Sequence, residues 1–113
     1  MKQFVFVISF LLLSLSSFSQ DELTQSIRGP VQDKVTGSPL VGVNVVVADL
    51  EKPIGGSTDA HGEFVLKNVP VGRHTLKFSY VGYKPLILRN QLLKSGKQLA
   101  LDVTMEERVE KLE

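Results

Sequence analysis

Cysteine and tryptophan are both missing from this chain, and histidine occurs only twice in 113 residues. Without cysteine there is no disulfide framework and no thiolate nucleophile, so the fold must rest on its apolar core. The two histidines, His61 and His74, stand in neither the HxxxH nor the CxxC type of spacing that marks a metal site. A strong net charge is also lacking, since 13 basic residues face 12 acidic ones. Nucleic acid, which requires a basic footprint, is therefore disfavoured as a partner.

What is present begins with a leader. After Met1, Lys2 and Gln3 the chain runs apolar from Phe4 to Leu15, interrupted only by Ser9 and Ser14. That run is too short for the roughly 20 residues of a membrane-crossing helix, and Ser17-Phe18-Ser19 offers a small-x-small cleavage site. Residues 1–19 read as a cleavable signal peptide, with the cut after Ser19 and a mature chain from Gln20 to Glu113. An uncleaved anchor is the rival reading, disfavoured by the short run, and the lack of any cysteine excludes a lipoprotein anchor. Cleavage removes Lys2 and balances the mature charge at zero. An exported chain of this size with no disulfide fits a bacterial periplasm or cell surface.

No stretch after Gln20 keeps a helical period. Short β-rich runs bounded by Gly, Pro, Asn and Asp recur instead, the pattern of a sandwich or barrel, and seven strands are expected. Ser26 to Asp33 comes first, where Pro30 lacks an N–H and so marks an edge strand. Val41 to Ala48 follows, with Val43, Val45 and Val47 on one face and Asn44, Val46 and Ala48 on the other, suggesting burial on nearly both sides. Gly55 to Thr58 leads into Asp59-Ala60-His61-Gly62, which suits a type I turn with Asp accepting backbone hydrogen bonds and Gly in fourth place. Glu63 to Lys67 returns with Phe64 and Leu66 on one face, then Asn68 to Gly72 turns. Arg73 to Val81 sets Leu76, Phe78 and Tyr80 on one side. Gly82 breaks that strand, Lys84 to Arg89 continues, Asn90 to Gly96 is a loop, and Gln98 to Met105 closes the set. Phe64 and Phe78 are expected on the inner faces of the two sheets. The expected division is 1–19 signal peptide, 20–105 all-β sandwich domain, and 106–113 charged, solvated linker or tail.

Five pieces stand in order: Gly29-x-Val31-x-Asp33, Thr36-Gly37-Ser38-Pro39-Leu40-Val41-Gly42-Val43-Asn44-Val45, Thr58-Asp59-x-x-Gly62-x-Phe64, Val69-Pro70-x-Gly72 and Phe78-Ser79-Tyr80-Val81-Gly82-Tyr83. Together they resemble the carboxypeptidase regulatory-like domain, and the resemblance covers about Ser26 to Met105. It implies a seven-strand transthyretin-like, Ig-like β-sandwich. Pro30 departs from the family, which more often has a residue able to pair there. The stretch Leu101 to Glu113 further resembles the join between such a domain and the plug of TonB-dependent outer-membrane receptors of Bacteroidetes, with the chain stopping where a plug would begin.

That resemblance implies a non-catalytic periplasmic accessory module, the N-terminal extension of a nutrient-uptake receptor. Its expected partners are the plug and barrel of a full-length chain or other periplasmic proteins, with outer-membrane association through the C-terminal part. The alternative is a free-standing secreted or periplasmic sandwich that binds a glycan or a protein. Catalytic, cofactor-binding and metal residues are expected to be none, because no nucleophile has a base nearby in sequence. Both histidines read as solvated surface residues. Asp33, Asp49 and Asp59 do not make the close oxygen set of a calcium site, so Asp59 reads as a turn residue. Tyr80 belongs to the core-facing series of its strand. Tyr83, beyond the Gly82 break and expected to point outward, is the one candidate ligand contact.

Overall fold

In the computed structural model, which describes residues 23–109, alternate apolar residues lay every long strand onto one of two facing sheets. The expected signal peptide lies outside the described residues. One sheet holds β1 (Thr24–Asp33), β4 (Glu63–Pro70), β7 (Leu99–Ala100) and β8 (Val103–Met105). Here β1 is central, antiparallel to β4 on one side and parallel to β7 and β8 on the other. The second sheet runs β3 (Ile54–Ser57), β2 (Asn44–Val47), β5 (Gly72–Ser79), β6 (Leu86–Leu93), all antiparallel. The described chain is an all-β sandwich, as expected.

The core follows the period-2 rule by which successive side chains point to opposite faces. Ile27 and Val31 of β1, Phe64 and Leu66 of β4, Val45 and Val47 of β2, and Leu76 and Phe78 of β5 are all buried. Phe64 and Phe78 meet from opposite sheets edge to face, with ring centroids 5.5 Å apart at 74°. Such a pair adds about 0.5–1.5 kcal/mol beyond the area it buries.

Four expectations need correction, each for a local physical reason. Pro30 does not mark an edge. On β1 the Arg28 carbonyl accepts from Leu101 N at 2.9 Å on one side, while Val31 N donates to the Gly62 carbonyl at 2.8 Å on the other. Backbone groups alternate sides along a strand, so Pro30 turns its donorless nitrogen toward the β7–β8 side, where that partner is itself broken at Leu101-Asp102. The break has a second cause: a Cβ on Gly29 would sit 1.7 Å from the Leu101 carbonyl oxygen, so only glycine lets the two backbones cross there. The expected last strand therefore becomes two short ones, and seven strands become eight among the described residues.

Third, Asn68 and Asn90 do not open loops. Both adopt positive φ, 59° and 58°, at register shifts in the β1–β4 and β5–β6 pairings. They are bulge residues, a role asparagine fills because it tolerates the left-handed region, and β4 and β6 run on past them. Finally, β2 buries one face only: Val45 and Val47 are covered, whereas Asn44 is exposed and Val46 half-buried.

Candidate functional site

Four of the five sequence pieces converge at one end of the sandwich, while Val69-Pro70-x-Gly72 lies at the other, opposite the start of β1. Asp33 closes β1 at the first end. Its Oδ1 accepts from the amides of Val35 at 2.8 Å and Thr36 at 2.9 Å, and its Oδ2 accepts from the Tyr83 hydroxyl at 2.6 Å. The Tyr83 hydroxyl and the Thr36 and Val35 amides together hold the Asp33 carboxyl down at about 2. The same bond, then burial and the neighbouring carboxylate charge, pushes the Tyr83 phenol up to about 12. Tyr83 thus does not point outward as expected. Its ring packs against the core and lies 5.5 Å from that of Tyr80, so its one polar atom is already engaged inside the protein.

Around this clamp the neighbouring turns lock together. Thr58, buried, donates its hydroxyl to the Leu40 carbonyl and accepts from Val43 N at 2.9 Å. Asp59 accepts from the amides of His61 at 2.9 Å and Glu63 at 3.0 Å, while Gly62 N donates back to the Asp59 carbonyl at 2.9 Å. The Glu63 and His61 amides lower the Asp59 carboxyl below its ordinary value. Gly62 is required twice over, since its φ is +75° and a Cβ there would lie 2.6 Å from Pro39 Cβ. The turn reading of Asp59 stands, with its carboxylate organising backbone.

The segment after β8 is also held. Lys84 N donates to the Glu106 carbonyl at 2.9 Å, Arg108 N donates to Gly82 O at 2.7 Å, and Tyr83 bridges Glu107. Residues 106–108, expected as solvated linker, are instead stitched to the bend at Gly82–Lys84. Their side chains remain exposed, and the Lys84–Glu106 ion pair at 3.4 Å lies on the surface.

The opposite end carries what sequence reasoning missed. His74, expected on the surface, is 5% exposed. Its Nδ1 faces Asp49 Oδ2 at 2.9 Å and its Nε2 faces the Pro70 carbonyl. A ring carrying both protons donates to both, whereas a neutral ring donates to one. Asp49 Oδ1 accepts from Thr75 N at 2.9 Å. Burial opposes the charge on Asp49, but the Thr75 amide and the His74 ring outweigh it and lower the carboxyl. No signal in the sequence brings together residues 25 positions apart.

Among the described residues no group of three His, Cys, Asp or Glu could hold a metal ion, and Asp33, Asp49 and Asp59 are each occupied by backbone donors. Two concavities lie between β6 and the β7–β8 side. A cleft of about 290 Å³ is bounded by Leu92, Lys94, Lys97 and Leu99, and another of about 310 Å³ by Lys34, Lys84, Leu86 and Met105.

The family described as CarboxypepD_reg-like domain matches residues 27–113. Carboxypeptidase D of Mus musculus is 34% identical over 79 residues, which are 70% of this chain but 6% of that protein's length. Among solved structures, a type II cohesin–X-dockerin complex from Acetivibrio cellulolyticus matches with TM-score 0.58 and 22% identity, over 72% of this chain and 56% of that one. A minor pilin of Streptococcus agalactiae matches with TM-score 0.59 and 16% identity, over 81% and 48%. The 3-chlorocatechol 1,2-dioxygenase of Rhodococcus opacus matches with TM-score 0.59 and 13% identity, over 80% and 62%. At these identities the structural likeness shows the sandwich alone, and a fold shared by a pilin and a dioxygenase does not name an activity.

Proposed function

This chain belongs to the carboxypeptidase regulatory-like domain family, and from that premise we propose that it is an exported, non-catalytic accessory module of a TonB-dependent outer-membrane receptor. It sits on the periplasmic side and presents a folded surface to the receptor's own plug and barrel or to periplasmic proteins. One observation carries the non-catalytic part: the groups of the matched motifs that could do chemistry, Asp33, Thr58, Asp59 and Tyr83, are all hydrogen-bonded within the fold. They hold turns together: the carboxylates of Asp33 and Asp59 are each occupied by two backbone amides, and the Tyr83 hydroxyl is spent on Asp33.

The receptor part draws on the resemblance of Leu101 to Glu113 to the domain–plug join. The stitch of residues 106–108 to Gly82–Lys84 adds to it, because a segment so held would pass a fixed orientation to whatever follows it. Sequencing the locus past Glu113 tests the reading. An open frame encoding a plug and barrel is the expected result. A stop codon, with the product recovered as a soluble exported protein, overturns it in favour of a free-standing sandwich that binds a glycan or protein.

A further inference from the structure

The stretch Lys84 to Lys97 contains Lys84, Arg89, Lys94 and Lys97 and no acidic residue, in a chain whose 13 basic and 12 acidic residues nearly balance as a whole. Within it lies β6, the end strand of its sheet, paired with β5 on one side and, among the described residues, with no strand on the other. Alternate N–H and C=O groups along that side have no ladder partner. Ile87 and Leu92 of the same strand are 43% and 40% exposed. The two clefts described above lie beside this free edge.

A free strand edge is a template for another strand, and its charge selects which one. Two copies of a basic edge repel, so a second copy of this chain is a poor occupant, whereas an acidic extended segment is the electrostatic complement. The chain's own residues 106–108 lead elsewhere: Glu106 meets Lys84, Glu107 meets Tyr83 and Arg108 meets Gly82, a direction that runs away from β6.

We propose that the free edge of β6 is a docking site for an extended, acidic and apolar segment of a partner protein, which adds as a further strand. Its backbone pairs along Leu86 to Leu93 on either side of the bulge at Arg89 and Asn90. One alternate set of its side chains enters the cleft between Leu92 and Leu99, and the other places carboxylates near Arg89, Lys94 and Lys97. This deepens the accessory-module reading and rests on it.

The test is amide NMR of the exported chain titrated with a capped alternating Glu–Val peptide, eight residues long to match β6. A Lys–Val peptide and an N-methylated Glu–Val peptide serve as controls. The Glu–Val peptide should shift and protect the β6 amides and bind at least about tenfold more tightly than the Lys–Val one. High salt, which shortens the screening length to about 3 Å at 1 M, should weaken it. Combined Arg89→Glu, Lys94→Glu and Lys97→Glu should abolish binding, while Lys52→Glu with Lys67→Glu, on other strands and loops, should leave it intact. N-methylation should remove it, because the ladder cannot form. Equal binding of the two charge types, shifts centred on β3 or β4, no binding, or binding that survives N-methylation would overturn the proposal. If β6 binds peptide but the chain shows catalysis of its own, the accessory-module reading fails and the docking site stands. If no peptide binds and no catalysis is found, the docking site fails and that reading stands.

Discussion

The two ends of the sandwich are fastened by the same device and advertised very differently. At one end the Asp33 carboxylate receives the Tyr83 hydroxyl from 50 positions away, and at the other Asp49 receives the His74 ring from 25 positions away. Each carboxylate also accepts a backbone amide. For Asp33 those amides are its near neighbours Val35 and Thr36, whereas for Asp49 the amide is that of Thr75, 26 positions distant. A carboxylate that organises its own turn leaves a local motif. One that ties two distant segments leaves none, although its mechanical role is the same.

The largest expected effect joins the two ends. Phe64→Ala or Phe78→Ala removes half of the ring pair between the sheets and should cost about 3–5 kcal/mol, read as a shift of the urea midpoint. Both ends should then lose hydrogen-exchange protection together. Loss confined to one end would mean that the ends fold independently of this core.

Next comes His74→Ala, which leaves Asp49 and the Pro70 carbonyl without their ring partner and should cost about 1–3 kcal/mol. Its signature is local. Amides around Pro70 to Thr75 should exchange faster while those of Val35 and Thr36 stay protected, and uniform loss would refute the separation of the two clamps.

Tyr83→Phe is the matching change at the motif end, and pH reads it. Asp33 is held at about 2 against an ordinary 3.8. Its stabilisation is complete above about pH 4 and is lost as pH falls through about 2. Tyr83 is raised from 10.0 to about 12, so its share is complete below about pH 10 and is lost as pH rises through about 12. In Tyr83→Phe the alkaline loss should disappear, and carboxyl NMR should show Asp33 titrating higher, though still below its ordinary range because two amides remain. An unchanged Asp33 titration would show that the hydroxyl does not set it.

The smallest effect is expected from Lys84→Ala. The ion pair with Glu106 is more than half exposed on both sides, and surface pairs contribute about 0–1 kcal/mol. The backbone stitch should survive, so protection of the Lys84 and Arg108 amides should hardly change. Marked loss would place the hold on residues 106–108 in side chains after all.

Much of this was legible because it is local. Period-2 alternation placed Phe64, Leu66, Leu76 and Phe78 in the core, and Asp59 to Gly62 formed the turn that its residue types favour. The errors share one origin. Pro30 read as an edge because the sequence shows a missing donor but not the broken partner opposite it. Asn68 and Asn90 read as loop starts because a left-handed asparagine looks the same in a turn and in a bulge. Tyr83 and His74 read as surface groups because nothing nearby in the chain satisfies them.

By itself, then, the sequence determined the class of fold, the inward placing of Phe64, Leu66, Leu76 and Phe78 and the turn from Asp59 to Gly62, since these depend on side-chain alternation and on hydrogen bonds spanning a few residues. Only the tertiary structure decided that β1 is central, that the last strand splits at Leu101 and Asp102 opposite Gly29 and Pro30, that Asp33 meets Tyr83 and Asp49 meets His74, and that among the described residues β6 keeps a free basic edge. Those features depend on which distant strands become neighbours. That choice is made by packing the two apolar faces against each other, and no short window of sequence contains both partners.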